Sequence, residues 1–131
     1  MIRIEKLRPE GLVHSPAFSH VAIVPPGATT IYVGGQNAVG ADGKLVGDGD
    51  IAAQATRAVE NAITALAAAD ATPADVVQWT VLIAEGADLG AAYGAIAARI
   101  ASPEPPLVTA AVVASLAVPG ALIEVSAVAA R

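Results

Sequence analysis

Between Pro105 and Ile123 no side chain carries a charge. A run of that length approaches a bilayer crossing, so the segment is either a membrane helix or buried β-structure. Pro105, Pro106, Pro119 and Gly120 argue against the helix, because proline and glycine in a helix interior remove hydrogen bonds or add backbone entropy. Pro119-Gly120 falls between two Val- and Ala-rich runs and reads as a turn. The segment therefore predicts two buried strands, 108–116 and 122–129, and no membrane span. Both faces of these strands are apolar, so a sheet built on them needs cover on two sides.

The rest of the chain provides cover for one side. Residues 2–7 alternate apolar Ile2 and Ile4 with charged neighbours, a strand pattern. Val21 to Val24 is an apolar run stopped by Pro25-Pro26-Gly27, and Thr30 to Val33 reads as the second strand of a hairpin with it. Asp50 offers an N-cap to a helix reaching about Asp70. Its buried stripe is expected to hold Ile51, Ala55, Ala58, Val59, Ala62, Ile63 and Leu66, with Gln54, Arg57, Asn61 and Thr64 opposite. Thr72-Pro73 breaks the chain before a strand at Val76 to Ile83 that holds the single Trp79. Asp88 caps a second helix to about Ala101, with Leu89, Ala92, Tyr93, Ile96 and Ile100 inward. This order predicts one α+β domain over residues 1–131, a single mixed β-sheet with two helices packed on one face. No third helix remains for the other face, so copies of the chain are expected to cover one another.

Composition points the same way. Hydrophobic residues make up 55% of the chain and aromatics 3%, so the core rests on Val, Ile, Leu and many Ala, and alanine buries little area per residue. The net charge of −5, with scattered basic residues, argues against a phosphate-tracking surface, and no nucleic-acid partner is expected. The absence of cysteine removes thiol and disulfide chemistry. No signal peptide is visible, and a cytoplasmic location is expected.

Few residues carry chemistry. The loop from Gly34 to Gly49 is glycine-rich, but Ala38 and Leu45 stand where a phosphate-binding loop needs Gly and Ser or Thr. Its glycines read as turn residues. His14 and His20 lack metal-ligand spacing, Asp42, Asp48 and Asp50 lack the calcium-loop pattern, and Ser15 and Ser19 lack a nucleophile context, so neither metal nor cofactor is expected. Glu124 is the exception: a carboxylate inside a strand that reads as buried, and therefore a candidate general acid/base.

Four segments, in order and spacing, resemble the RidA/YjgF family over nearly the whole chain. They are Tyr32-Val33-Gly34-Gly35-Gln36; Gln54 with Asn61; Asp75-Val76-Val77 followed by Thr80-Val81; and Ile123-Glu124-Val125 followed by Ala127-Val128-Ala129. The resemblance implies a chorismate-mutase-like fold and a homotrimer with ligand clefts between subunits. It also implies hydrolysis of 2-iminobutanoate and 2-iminopropanoate to ketoacids and ammonia. It sets the substrate cleft at Phe18, Gly34, Gly35, Gln36, Gly90, Val108 and Thr109, with Glu124 as the catalytic carboxylate. The family's carboxylate-binding arginine falls at Val108, and no arginine lies between Arg99 and Arg131. Phe18 replaces a cleft tyrosine, Gly34 a serine and Gly90 an asparagine. The scaffold carries over and the deaminase site does not. Two functions stay open: a diverged cleft enzyme, hydrolytic or deaminase-like, using Glu124, and a non-catalytic metabolite-binding trimer. The endoribonuclease or translation-inhibitor role of some relatives ranks last, because it needs a basic surface.

Overall fold

Two aspartates set the helices. In the computed structural model, which describes residues 3–131, Asp50 accepts the Ala53 N–H at 3.0 Å and starts α1 (Ile51–Ala68). Asp88 accepts the Ala91 N–H at 3.1 Å and starts α2 (Leu89–Ile100). Each cap satisfies a backbone donor that has no partner inside its helix. After α1 the chain turns through Asp70, at φ 57°, into a 3₁₀ turn at Pro73–Asp75. There the Asp75 carboxylate accepts the Thr72 N–H at 2.9 Å.

The strands are β1 (Glu5–Leu7), β2 (Val21–Ile23), β3 (Thr30–Gln36), β4 (Val76–Ala84), β5 (Leu107–Val113) and β6 (Ile123–Ala130). The main sheet is mixed, in the order β3-β6-β4-β5, with β4 and β5 parallel and the other pairs antiparallel. Helix α2 is the crossover that a parallel pair requires. Both helices lie on one side, as the sequence predicts. Alternation separates the faces: Val33, Trp79, Val81, Ile83, Ile123, Val125 and Ala127 are buried beneath the helices. Tyr32, Gln78, Thr80, Leu82, Glu124, Ser126 and Val128 occupy the other face, which no element among the described residues covers. That face is less uniformly apolar than expected, because Gln78, Thr80, Glu124 and Ser126 interrupt it.

Pro119-Gly120 does form the turn. Gly120 has φ 81° and the Ala121 N–H meets the Val118 carbonyl at 3.0 Å, a type II geometry that needs glycine at that position.

Several expectations need correction. The hairpin of 21–24 with 30–33 does not form: β2 pairs with β1 in a separate two-stranded ribbon, and β3 pairs with β6. Local sequence saw adjacent strands joined by a turn and could not see β6 compete for β3 across the chain. Strand β1 is shorter than residues 2–7; Ile2 lies outside the described residues, and Ile4 precedes the strand. Gln54 is fully buried rather than outward. Its Nε2 donates to the carbonyls of Gly47 at 3.1 Å and Gly120 at 3.2 Å, and its Oε1 accepts the Leu122 N–H at 2.8 Å. One amide thus fastens the glycine-rich loop and the 118–121 turn to α1. Leu89 and Tyr93 are exposed, leaving Ala92 and Ile96 as the buried residues of α2.

Candidate functional site

The expected cleft residues divide between the two faces of the sheet. On the open face stands Glu124, opposite Leu82 of β4, which is in turn opposite Ala111 of β5. Glu124 also lies against the end of β3, where a bulge between Val33 and Gln36 shifts the register. A Cβ on Gly35 would fall 2.7 Å from the Glu124 Oε2, so a larger residue there would displace the carboxylate from its present position. The bulge re-aims the backbone at Gly34 and Gly35 toward the carboxylate. Gln36 folds back, its Nε2 3.3 Å from the Gly34 carbonyl. The ion pairs among the described residues, Arg3–Glu104 and Arg99–Glu60, do not involve Glu124. Thr109 is on this face too, its Oγ1 accepting from Gln78 Nε2 at 2.8 Å.

Val108 is on the opposite face. Its register partner is Trp79, and both line a cavity of about 790 Å³ between α2 and the β4–β5 edge. Phe18 reaches this cavity from the loop before β2, with its ring edge-on to His20 at 5.4 Å. Ser19 holds that loop in place: its Oγ donates to the Pro105 carbonyl at 2.7 Å and its N–H to the Pro106 carbonyl at 3.1 Å. Tyr93, Ile96 and Ile100 of α2 form much of the remaining wall, and no lining side chain is charged. The indole N–H of Trp79 is buried without a hydrogen-bond partner, a state that costs about 1–3 kcal/mol for a typical donor.

Gly90 belongs to neither group. It is exposed in the first turn of α2, beside the capping Asp88 carboxylate. One chain therefore brings together Phe18 with Val108, and Gly34, Gly35 and Gln36 with Glu124, with the sheet between the two sets. The sequence reading missed the cavity wall of Trp79 and Ile96. Its only signal was a lone tryptophan in a strand otherwise filled by smaller side chains.

A second, smaller pocket of about 200 Å³ opens beside Lys6, Arg99 and Glu104. Burial pushes the Lys6 ammonium below its usual value, against the opposing pull of the Glu104 and Asp75 carboxylates. Lys6 and its neighbours Arg3 and Arg8 all bind the 103–104 segment, Lys6 through the Glu104 carbonyl at 3.1 Å and Arg8 through that of Pro103 at 3.3 Å. The basic group near the start of the sequence thus straps the β1–β2 ribbon to the end of α2. The described residues contain no cluster of metal-ligating side chains and no helix long and apolar enough to cross a membrane.

The Endoribonuclease L-PSP family model matches residues 12–131. A Rid-family protein of unknown function, YyfB of Yersinia pestis, is 33% identical at a TM-score of 0.85, with 98% of each chain covered. RidA from an Antarctic Psychrobacter is 24% identical at a TM-score of 0.71, covering 99% of this chain and 98% of its own. A YjgF/YER057c/UK114-family protein of Mycobacterium tuberculosis is 24% identical at a TM-score of 0.66, covering 98% of this chain and 100% of its own. These last two share the fold. No curated protein matches the chain. With a family model spanning nearly its whole length and a Rid protein one-third identical to it, the chain belongs to the RidA/YjgF family, the Endoribonuclease L-PSP proteins.

Proposed function

We propose that the chain assembles as a homotrimer whose clefts between copies bind a small metabolite, and that these clefts have lost 2-iminopropanoate and 2-iminobutanoate deaminase activity. The observation that carries this reading is Val108, which lines a cavity without a single charged side chain. An imino acid brings a carboxylate, and an arginine fork would meet it with paired charge-assisted hydrogen bonds. Val108 offers none, and an unpaired carboxylate in apolar surroundings is strongly disfavoured. The split of the site supports assembly. Glu124 and Val108 lie on opposite faces of one sheet, so a cleft using both draws them from different copies. Such packing also covers the sheet face left open in the single chain.

A second reading is hydrolysis or deamination of another substrate by Glu124. Its place on the open sheet face beside Gly35 favours this, because an acid/base must be within reach of the reacting atom. Nuclease activity fits poorly, since the net charge is −5 and Arg3, Lys6 and Arg8 are engaged within the fold.

Light scattering tests the assembly, with three chains expected and a monomer refuting it. A dehydratase-coupled assay tests the chemistry. The imine should decay at its uncatalysed rate, and acceleration matching an arginine-bearing relative would refute the loss. Val108→Arg should gain affinity for 2-ketobutyrate by about tenfold, the scale of one added charged hydrogen bond.

A further inference from the structure

We infer that the small pocket between β1 and the end of α2 binds a short-chain aliphatic monocarboxylate, with Lys6 and Arg99 meeting its head and apolar side chains its tail. The site is separate from the cleft proposed above, and the inference does not rest on that reading.

Charge comes first. Four of the seven basic residues of this acidic chain, Arg3, Lys6, Arg8 and Arg99, gather around residues 99–104. Lys6 and Arg99 line the pocket, and among the described residues neither meets a carboxylate at hydrogen-bond distance. An ammonium has three N–H donors. Lys6 places one on the Glu104 carbonyl at 3.1 Å, a group without net charge. Arg99 stands 3.7 Å from the Glu60 carboxylate, too far for a hydrogen bond. The carboxylate that lines the pocket, Glu104, is already held by Arg3 at 2.6 Å. Burial keeps Lys6 below its usual value in spite of Glu104 and Asp75. Its half-buried charge therefore has a partner to gain, and a bound anion would offset the hydration it has lost.

Size and walls narrow the ligand. The pocket measures about 200 Å³, and a void of about 150 Å³ holds benzene, so a molecule of a few heavy atoms fills it. Pro73, Ala74, Ile100, Pro103 and Pro106 give it apolar walls, against which an alkyl tail is buried favourably. A carboxylate head takes charge-assisted hydrogen bonds from ammonium and guanidinium alike. Phosphate fits less well: it offers the apolar walls nothing and brings a second charge toward Glu104 and Asp75. The large cavity shares Ile100 and Pro106 with this pocket, but Lys6, Ala74 and Arg99 line the small one alone.

Lys6 and Lys44 are the only lysines, so the Cε resonances of ¹³C-labelled lysine report on the pocket and include a control. The probes are propionate, propionamide and inorganic phosphate, titrated into the intact protein at constant ionic strength. Propionate should move the Lys6 resonance saturably and leave Lys44 in place. Propionamide has the same shape without the charge and should bind at least about tenfold more weakly, the scale of one charge-assisted hydrogen bond. Phosphate should also bind more weakly than propionate. The charged groups around Lys6 are Glu104, Asp75 and Arg99, with Arg3 on Glu104 and Glu60 near Arg99. Saturating propionate adds an anion to this set and should raise the pH at which Lys6 titrates by about one unit, which a tenfold preference for the ammonium amounts to. Arg99→Gln keeps Lys6 as the reporter and should weaken propionate about three- to tenfold. Ala74→Leu, at an exposed position of the pocket wall, should abolish the response by filling the space. A Lys6 resonance unmoved by propionate, propionamide or phosphate binding as tightly as propionate, or full affinity in either variant would each overturn the inference.

Discussion

The two helices lie on the same face of one sheet, yet they finish their halves of the core differently. Helix α1 seals its half: Ala55, Ala58, Val59, Ala62 and Leu66 are entirely buried, and even the polar Gln54 is enclosed with its hydrogen bonds made. Helix α2 buries only Ala92 and Ile96, shows Leu89 and Tyr93 to solvent, and stands off from β4 and β5 across the large cavity. The cause is in the side chains. Helix α2 is mostly Ala and Gly, and of its larger apolar side chains only Ile96 is buried. Stability therefore concentrates on the α1 side and room for a ligand on the α2 side, a division common to proteins whose binding regions come from their less stable parts.

Leu66→Ala against Ile96→Ala is the sharpest way to break this comparison. Leu66 is enclosed on all sides, and truncation should cost about 3–5 kcal/mol. Ile96 borders an existing cavity and should cost about 1–2 kcal/mol, because fewer contacts are lost there. Urea denaturation of both variants checks it, and equal losses would mean that the α2 side is as tightly packed as the α1 side.

Gln54→Leu should follow, at about 2–3 kcal/mol, since it keeps the volume but strands two carbonyls and an N–H in a dry site. Faster amide exchange at Leu122 would locate the damage. In the opposite direction, Ala97→Phe should raise stability by about 0.5–1 kcal/mol by filling space on the α2 side. A loss of melting temperature in that variant would show that the cavity cannot admit the ring.

The smallest effect concerns Lys6. Its value in the folded chain is lowered from 10.5, so between the two values the unfolded chain holds a proton that the folded one has released. Stability should therefore rise slightly with pH in the window just below 10.5, and Lys6→Met should remove that rise. Denaturant midpoints across alkaline pH, compared between the two proteins, measure it.

What the sequence disclosed follows from the range of the forces involved. Helix caps, the Pro119-Gly120 turn and the existence of β4 and β6 are local, and all are legible within a few residues. The partner of β2 was not, because pairing depends on strands distant in the chain. Gln54 misled for a related reason: its amide reads as a surface group until Gly47, Gly120 and Leu122 are seen to converge on it. In the site, the residue types were legible and their faces were not. Whether Val108 shares a side with Glu124 depends on the register of three strands, which places Val108 beside Trp79 and Glu124 beside Leu82.

The strand order carries a consequence for biosynthesis. Strand β6 lies between β3 and β4 and joins both, so a nascent chain stopped before residue 123 exposes two unpaired edges with no centre to the sheet. Helix α1 can form early, but the sheet beneath it closes only once residues 123–130 have left the ribosome. Until then those edges stay open to mispairing. A ribosome stalled after β5 should yield a protease-sensitive chain, and one stalled well beyond β6 a resistant one.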